Sequence, residues 1–203
     1  MIDKMTELAF KTTLYDFLTQ FDGLLSKDEL QLIVDNSCIK QFKKGTFLLK
    51  EGEIAKHCYL VLKGCVREYV IKNGEEKSTA FYTEGQPVNS FTSATTHTKA
   101  NHNLVCVEDC VLTVGTTSLE EEMCVLIPRL RAVIRMEVEK HTGVYQDEMT
   151  KFITSTPEER YQDLLLNRPD LLNRVPLHQI ASFIGITAES LSRIRKRMTD
   201  KRS

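Results

Sequence analysis

Five glycines punctuate the stretch from 38 to 85 at short intervals, each behind a polar or charged residue: Lys44-Gly45, Glu51-Gly52, Lys63-Gly64, Asn73-Gly74 and Glu84-Gly85. Between and after these turn signals, segments 47–50, 58–62, 66–71 and 77–82 read as short strands with the two-residue period of half-buried β-structure. Asn73-Gly74 is the strongest of the signals, because a type I′ hairpin requires positive φ at both central positions. Two further strands are expected at 103–107 and 111–115. Short strands at regular spacing restrict this region to a sandwich or jelly roll. The polar, Ser/Thr-rich interruption at 86–102 is expected to be a surface loop, which a rigid barrel can present to a ligand.

Helices flank the strands. Residues 5–21 place Leu8, Leu14, Phe17, Leu18 and Phe21 as apolar contacts of one helix. Ser26 and Glu29 form a capping box that opens a second, to about Asn36. Ser118-x-x-Glu121 is expected to cap a short helix ending near Pro128. A long helix then spans about 128–152. Its Leu130, Ile134, Val138, His141, Tyr145, Met149 and Phe152 follow a near-heptad spacing, the seam of a helix that pairs with its own copy. At 1.5 Å per residue it would reach roughly 37 Å, more than a small barrel covers. Packing on its own barrel alone is the alternative. Thr156-Pro157-Glu158-Glu159 is a second capped start, so a domain boundary is expected at 154–156.

The segment 176–199 reads as helix, tight turn, helix. Leu177, Ile180, Ala181 and Ile184 share one face, Gly185 supplies the turn, and Thr187 caps the next helix. Leu191, Ile194 and Met198 form a second apolar stripe opposite Glu189, Arg193, Lys196 and Arg197. One face can join the helices while the other meets DNA. Charge points the same way. Residues 151–203 hold ten Lys/Arg and six Asp/Glu, against 17 and 22 in residues 1–150, so a net charge of −1 conceals an acidic body and a basic tail. Paired amphipathic helices also occur in proteins that never meet DNA, and the basic tail favours the DNA reading.

Other classes are disfavoured. No run approaches the ~20 apolar residues of a membrane span, and the mixed-charge N-terminus is unlike a secretory signal. The six cysteines form no C-x-x-C pair, so metal or cluster ligation is not expected and buried free thiols are. Cupin-type metal chemistry needs His-x-His, which His57, His97, His102, His141 and His178 do not form. No spacing argues for a catalytic triad or carboxylate pair, and Glu120 to Glu122 read as a solvated helix start. An enzyme is therefore not expected.

In this order the segments resemble the Crp/Fnr family of bacterial transcription regulators. The marks are Lys44-Gly45-Thr46-Phe47-Leu48 with Glu51-Gly52-Glu53, Tyr59 to Gly64 leading to Val66-Arg67, Gly85-Gln86, and above all Ile184 to Ile194. The resemblance implies an α+β fold with three parts. An N-terminal double-stranded β-helix (jelly-roll) sensor domain of the cyclic-nucleotide-binding type covers 1–127. A dimerisation helix covers 128–153, and a C-terminal winged-helix-like helix-turn-helix domain covers 154–203.

The resemblance also assigns roles. Glu189 and Arg193 would read base edges, as a carboxylate can accept from cytosine N4 and an Arg fork can grip guanine. Ala188, where the family often has a third polar reader, could at most touch a thymine methyl. Thr187, Ser190, Lys196 and Arg197 would contact phosphates. The short 167–175 connection and the little chain after Met198 imply a reduced β-wing. For the effector, the family uses a Glu on the ribose and an Arg on the cyclic phosphate. Asn89-Ser90 and Ala100-Asn101 stand at those places, which removes a charge-assisted bond of roughly 1.5–3 kcal/mol. No cofactor is therefore expected, cAMP included, unless Lys99 or His102 substitutes through a loop shift. The pocket is then either lost or takes another small ligand through Asn89, Ser90, Thr92 and Asn101. The family's iron–sulfur sensors use N-terminal cysteines, and none precedes Cys38.

The expected protein is a cytoplasmic homodimer, joined through 128–152, that binds double-stranded DNA, with RNA polymerase as a further partner the family admits. The rival reading is a cyclic-nucleotide sensor module acting on a protein partner. The helix-turn-helix and the basic tail argue against it.

Overall fold

The computed structural model describes residues 4–200, with side chains for 5–198. The outer limits expected for the first and last domains, Met1 and Ser203, and the side chain of Thr199 lie outside the described residues. Helix α1 (Lys4–Leu18) runs into a 3-10 turn at Thr19–Phe21, and α2 (Lys27–Asn36) follows. The Ser26 hydroxyl accepts from the Glu29 amide, and the Glu29 carboxylate accepts from Ser26, so the capping box is complete. Leu14, Leu18 and Phe21 are buried as expected, but Leu8 is exposed: it faces away from the packing side of α1.

Eight strands form two antiparallel four-stranded sheets. The first has the order β1 (Ile39–Phe42), β8 (Cys110–Gly115), β3 (Cys58–Lys63), β6 (Pro87–Val88). The second has the order β2 (Phe47–Leu49), β7 (Asn103–Cys106), β4 (Val66–Lys72), β5 (Glu75–Tyr82). This is the jelly roll the turn glycines predict. Asn73 and Gly74 adopt φ of 55° and 78°, as the hairpin requires. Between the sheets lies an apolar core of Leu49, Val61, Val66, Val88, Leu104 and Leu112. The expected 86–102 loop is not wholly irregular, since Pro87–Val88 pairs with β3 and α3 spans Phe91–Thr96. Ser93 holds this segment down. Its buried hydroxyl accepts from the Ala55 amide at 2.9 Å and donates to the Thr98 carbonyl at 2.6 Å.

Helix α4 (Thr117–Leu126) is capped by Thr116, whose hydroxyl accepts from the Leu119 amide; Ser118 instead sits inside the first turn and bonds Glu122. Helix α5 (Leu130–Thr154) has Val133 as its buried residue and leaves Met136, Val138, Val144, Tyr145, Met149 and Phe152 exposed. Helix α6 (Pro157–Asn167) begins at the Thr156–Glu159 capping box, α7 spans Leu171–Arg174, and α8 (Leu177–Phe183) precedes α9 (Ala188–Asp200). Among the described residues no strand follows α8, so none forms a wing there.

The C-terminal head is docked on the β-roll. One buried cluster joins Cys65, Phe81 and Val107 of the roll to Tyr161, Leu164, Leu171, Val175, Ile180, Ile184 and Leu191 of the head. The outer face of the second sheet is thus a helix-packing surface rather than a solvated one.

Candidate DNA interface and sensor pocket

The turn between α8 and α9 is built around Gly185, at φ +80°. Its amide donates to the Ser182 carbonyl at 3.1 Å, and the Ile186 amide donates to Ala181 at 2.9 Å, which closes α8 in the left-handed manner typical of helix ends. Space matters as much as conformation. A Cβ at this position would lie 2.9 Å from Arg160 Nη1. That guanidinium donates to the Ile184 carbonyl at 2.7 Å and lies over the Phe152 ring at 4.1 Å. Thr187 then caps α9, accepting from the Ser190 amide at 3.2 Å.

Ile180, Ala181, Ile184, Leu191 and Ile194 are buried between the two helices, so the stripes meet as their spacing requires. The opposite face of α9 exposes Glu189, Arg193, Lys196 and Arg197. Arg193 Nη2 donates to the Ser190 hydroxyl at 3.1 Å, which points the guanidinium along the outer face. The Glu189 carboxyl is held below its ordinary value by its own backbone amide, then by the Thr187 hydroxyl and by Arg193. Arg197 donates to Glu158 at 3.1 Å, so this expected phosphate contact is engaged within the head. Thr187 and Ser190 likewise bond each other.

Most of the residues expected to line the effector pocket lie at the surface. Asn89, Thr92, Lys99 and Asn101 are exposed, while Ser90 is buried just before α3 without a capping bond from its side chain. His102 is half-buried, with Nδ1 at 3.1 Å from Asn101 Oδ1 and an unpartnered Nε2 3.9 Å from Glu68. The polar group that the roll does assemble was missed. Glu68, on the inner face of β4, accepts from the Thr79 hydroxyl at 2.7 Å and from the Tyr82 hydroxyl at 3.0 Å. Burial, then the Glu68 carboxylate, pushes the Tyr82 phenol up, and Tyr145 and Glu148 of α5 add to the effect. Glu68 lies in a strand pattern that reads simply as apolar alternation, so only its failure to be apolar marked it.

A second missed group fixes the head. The Ser182 hydroxyl donates to the Glu76 carbonyl at 3.1 Å and accepts from the Ser78 amide at 3.0 Å. Arg168 donates to the Phe81 carbonyl at 2.8 Å, and Phe81 meets Phe183 edge to face at 5.3 Å. Arg174 bridges Glu84, at 2.9 Å, and Glu108, at 2.6 Å. These partners are separated by 66 to 106 residues, so no local signal announces them.

Residues 39–118 match the cyclic nucleotide-binding domain family. Similar solved structures include FixK2 from Bradyrhizobium japonicum, at TM-score 0.63 and 19% identity over 81% of this chain and 85% of that one. The c-di-GMP responsive global regulator CLP from Xanthomonas campestris aligns at TM-score 0.67 and 14% identity, over 87% and 93% of the two chains. A CooA mutant from Carboxydothermus hydrogenoformans aligns at 0.63 and 14%, over 91% and 84%. No curated protein matches the chain in sequence. The class is therefore a cyclic nucleotide-binding-type β-roll carrying a helix-turn-helix head. Its fold is that of FixK2, CLP and the CooA mutant. Among the described residues no helix is long and apolar enough to cross a membrane.

Proposed function

We propose that this chain is a homodimeric, sequence-specific DNA-binding transcription regulator, working in the cytoplasm without enzymatic activity. The observation that carries the reading is the α8–α9 pair: a sealed apolar interface on one side, and Glu189 with Arg193 exposed one turn apart on the other. Such a helix can enter a major groove, where Arg193 reads guanine and Glu189 reads cytosine. The exposed apolar run on α5 supports dimerisation, because a monomer would leave Val138, Tyr145, Met149 and Phe152 in water. Regulators such as FixK2 and CLP share the fold.

Cyclic nucleotide is not the effector in this reading. The inner wall of the roll presents the Glu68 carboxylate, satisfied by Thr79 and Tyr82, and a cyclic phosphate beside it would meet like charge. The nearby Arg67 turns to the other face, where it bonds Ser78 and Glu76. The test is site selection from a random duplex pool at fixed salt, with and without cAMP. An enriched palindrome in both arms is expected. Enrichment only with cAMP would overturn the effector reading, and none in either arm would count against base reading by α9. Arg193→Ala should then weaken specific binding by roughly 1–3 kcal/mol and relax one base position.

A further inference from the structure

The first turn of α6 holds the helix-turn-helix at two points. Arg160 Nη1 donates to the Ile184 carbonyl at 2.7 Å, and Arg197 of α9 donates to Glu158 at 3.1 Å. Ile184 closes α8, so its carbonyl stands at the negative end of that helix, where a cation is favoured. Helix α6 is also tied back to the end of α5. Lys151 bonds Asp163, and the Arg160 guanidinium lies over the Phe152 ring, 4.1 Å from its centroid. Phe152 is the last member of the near-heptad spacing on α5 and is 42% exposed.

Arg160 therefore touches α5 and the α8–α9 turn at once. Its flat face rests on the ring while its edge serves the Ile184 carbonyl, a division of labour that an ammonium group cannot copy. The layers are in close contact. A Cβ on Gly185 would lie 2.9 Å from Arg160 Nη1 and 3.3 Å from the Phe152 ring. Arg160 Nε is buried with no hydrogen-bond partner. The ring and the carbonyl, rather than a full set of acceptors, orient this guanidinium. A shift at the end of α5 would carry ring, guanidinium and turn together, and with them the first residues of α9.

We propose that Arg160 is a positioning residue: it fixes the α8–α9 turn to the end of α5, so that the dimer helix sets where Glu189 and Arg193 point. This rests on the DNA-binding reading above. In a two-fold dimer the separation of the two reading helices is then set from the seam, to suit half-sites one helical turn (~34 Å) apart. Without Arg160 each α9 can still enter a groove, but its angle to α5 is no longer held. Affinity for the correct site falls and the demand for one half-site spacing relaxes. Attraction to phosphate, which needs no fixed angle, persists.

The experiment compares the full chain with Arg160→Gln, Arg160→Lys, Phe152→Leu and Phe152→Tyr. The duplexes are the palindrome selected by the unaltered protein, the same half-sites with one base pair added or removed between them, and a random duplex at the same salt. Arg160→Gln, Arg160→Lys and Phe152→Leu should each weaken binding to the palindrome about tenfold. They should flatten the preference for the selected spacing and leave random-duplex affinity within about twofold. Phe152→Tyr keeps the ring and should match the unaltered protein. The Arg160 variants leave the exposed seam of α5 intact, which separates this effect from loss of the dimer. Exchange of the Gly185 and Ile186 amides, bonded to Ser182 and Ala181, should accelerate about tenfold in the three weakened variants without DNA present. A merely structural role predicts equal losses on palindrome and random duplex with the spacing preference kept, and that result would overturn the proposal. Unchanged exchange in the turn would overturn it as well. Failure of the unaltered protein to select any palindrome would instead refute the DNA-binding reading, while the exchange data would still report whether Arg160 ties the turn to α5.

Discussion

Arg174→Ala removes the side chain on which the docked head most depends electrostatically. Its guanidinium bonds Glu108 through Nε and Nη2 at 2.8 and 2.6 Å, Glu84 through Nη1 and Nη2 at 2.9 Å each, and Asp170 at 3.3 Å. The Arg174 side chain is 20% exposed, its partners Glu84 and Glu108 45% and 34%. A fully buried pair broken on one side costs about 3–5 kcal/mol, whereas an exposed pair contributes about 0–1 kcal/mol. Water can re-solvate both carboxylates here, which places the loss near 2 kcal/mol. For a chain of this size that lowers Tm by about 4–8 °C. Urea and thermal unfolding measure it, and a cycle with Glu108→Gln should return a coupling of about 1 kcal/mol. The pH dependence has a definite sign. Burial acts to raise Glu84, but Arg174 and the Gly64 amide hold it below its ordinary 4.5. Its contribution is therefore complete above pH 4.5 and disappears as pH falls through the depressed value. The gap between the two proteins should close in acid and stay constant between pH about 6 and 8. A loss under about 0.5 kcal/mol, or no coupling, would reduce Arg174 to an ordinary surface cation.

Three other perturbations test separate parts of the structure. Gly64→Ala should cost about 2–5 kcal/mol, because φ is +107° and the new Cβ would lie 2.6 Å from Cys110 Sγ and 2.8 Å from its Cα; an unchanged melt would contradict that packing. Ser93→Ala leaves the Ala55 amide and the Thr98 carbonyl without this partner, for a loss of about 1–3 kcal/mol and faster proteolysis around α3. Val138→Glu with Met149→Glu should turn the proposed dimer into a folded monomer in sedimentation equilibrium, since both positions are exposed on α5; a persisting dimer would move the interface elsewhere.

The fold was legible where local chemistry is decisive. Turn glycines, the two capping boxes and the stripes of 177–198 predict strands and helices that the structure contains, because each depends on residues a few positions apart. The cap of α4 was misplaced by two residues, as Thr116 and Ser118 offer the same hydroxyl and only the backbone at Thr116 is extended. Pro87–Val88 and α3 were hidden in a polar stretch whose order comes from Ser93, a contact across 38 residues. The exposed polar face of α9 could be read from helical spacing alone. The sensor interior could not, since it depends on which strand residues face inward and on what meets them there. Asn89 and Asn101 follow from the resemblance, Lys99 from a loop shift and Thr92 from a different ligand, and all four are exposed. Glu68 and Tyr82 lie on different strands and meet only through the β4–β5 register.

That register also joins the interior of the β-roll to the head. Successive residues of a strand face opposite sides of a sheet, and β4 puts Glu68 inward while Arg67 faces outward. Arg67 bonds Ser78 and Glu76, the residues whose backbone amide and carbonyl meet Ser182 of α8. Between Glu68 and Tyr69 the register with β5 slips by one residue, so the strand pair has a natural point of adjustment. A change at Glu68 therefore has a path of one residue to the head's dock. Adjacency is not coupling, and a double-mutant cycle decides between them. Glu68→Gln and Ser182→Ala share no hydrogen bond, so independent sites would add within about 0.3 kcal/mol in unfolding free energy. Coupling through β4 predicts a departure of at least about 0.5 kcal/mol. Strict additivity would mean that the inner cluster and the head stabilise the chain separately, and that a signal between them must travel through α5 instead.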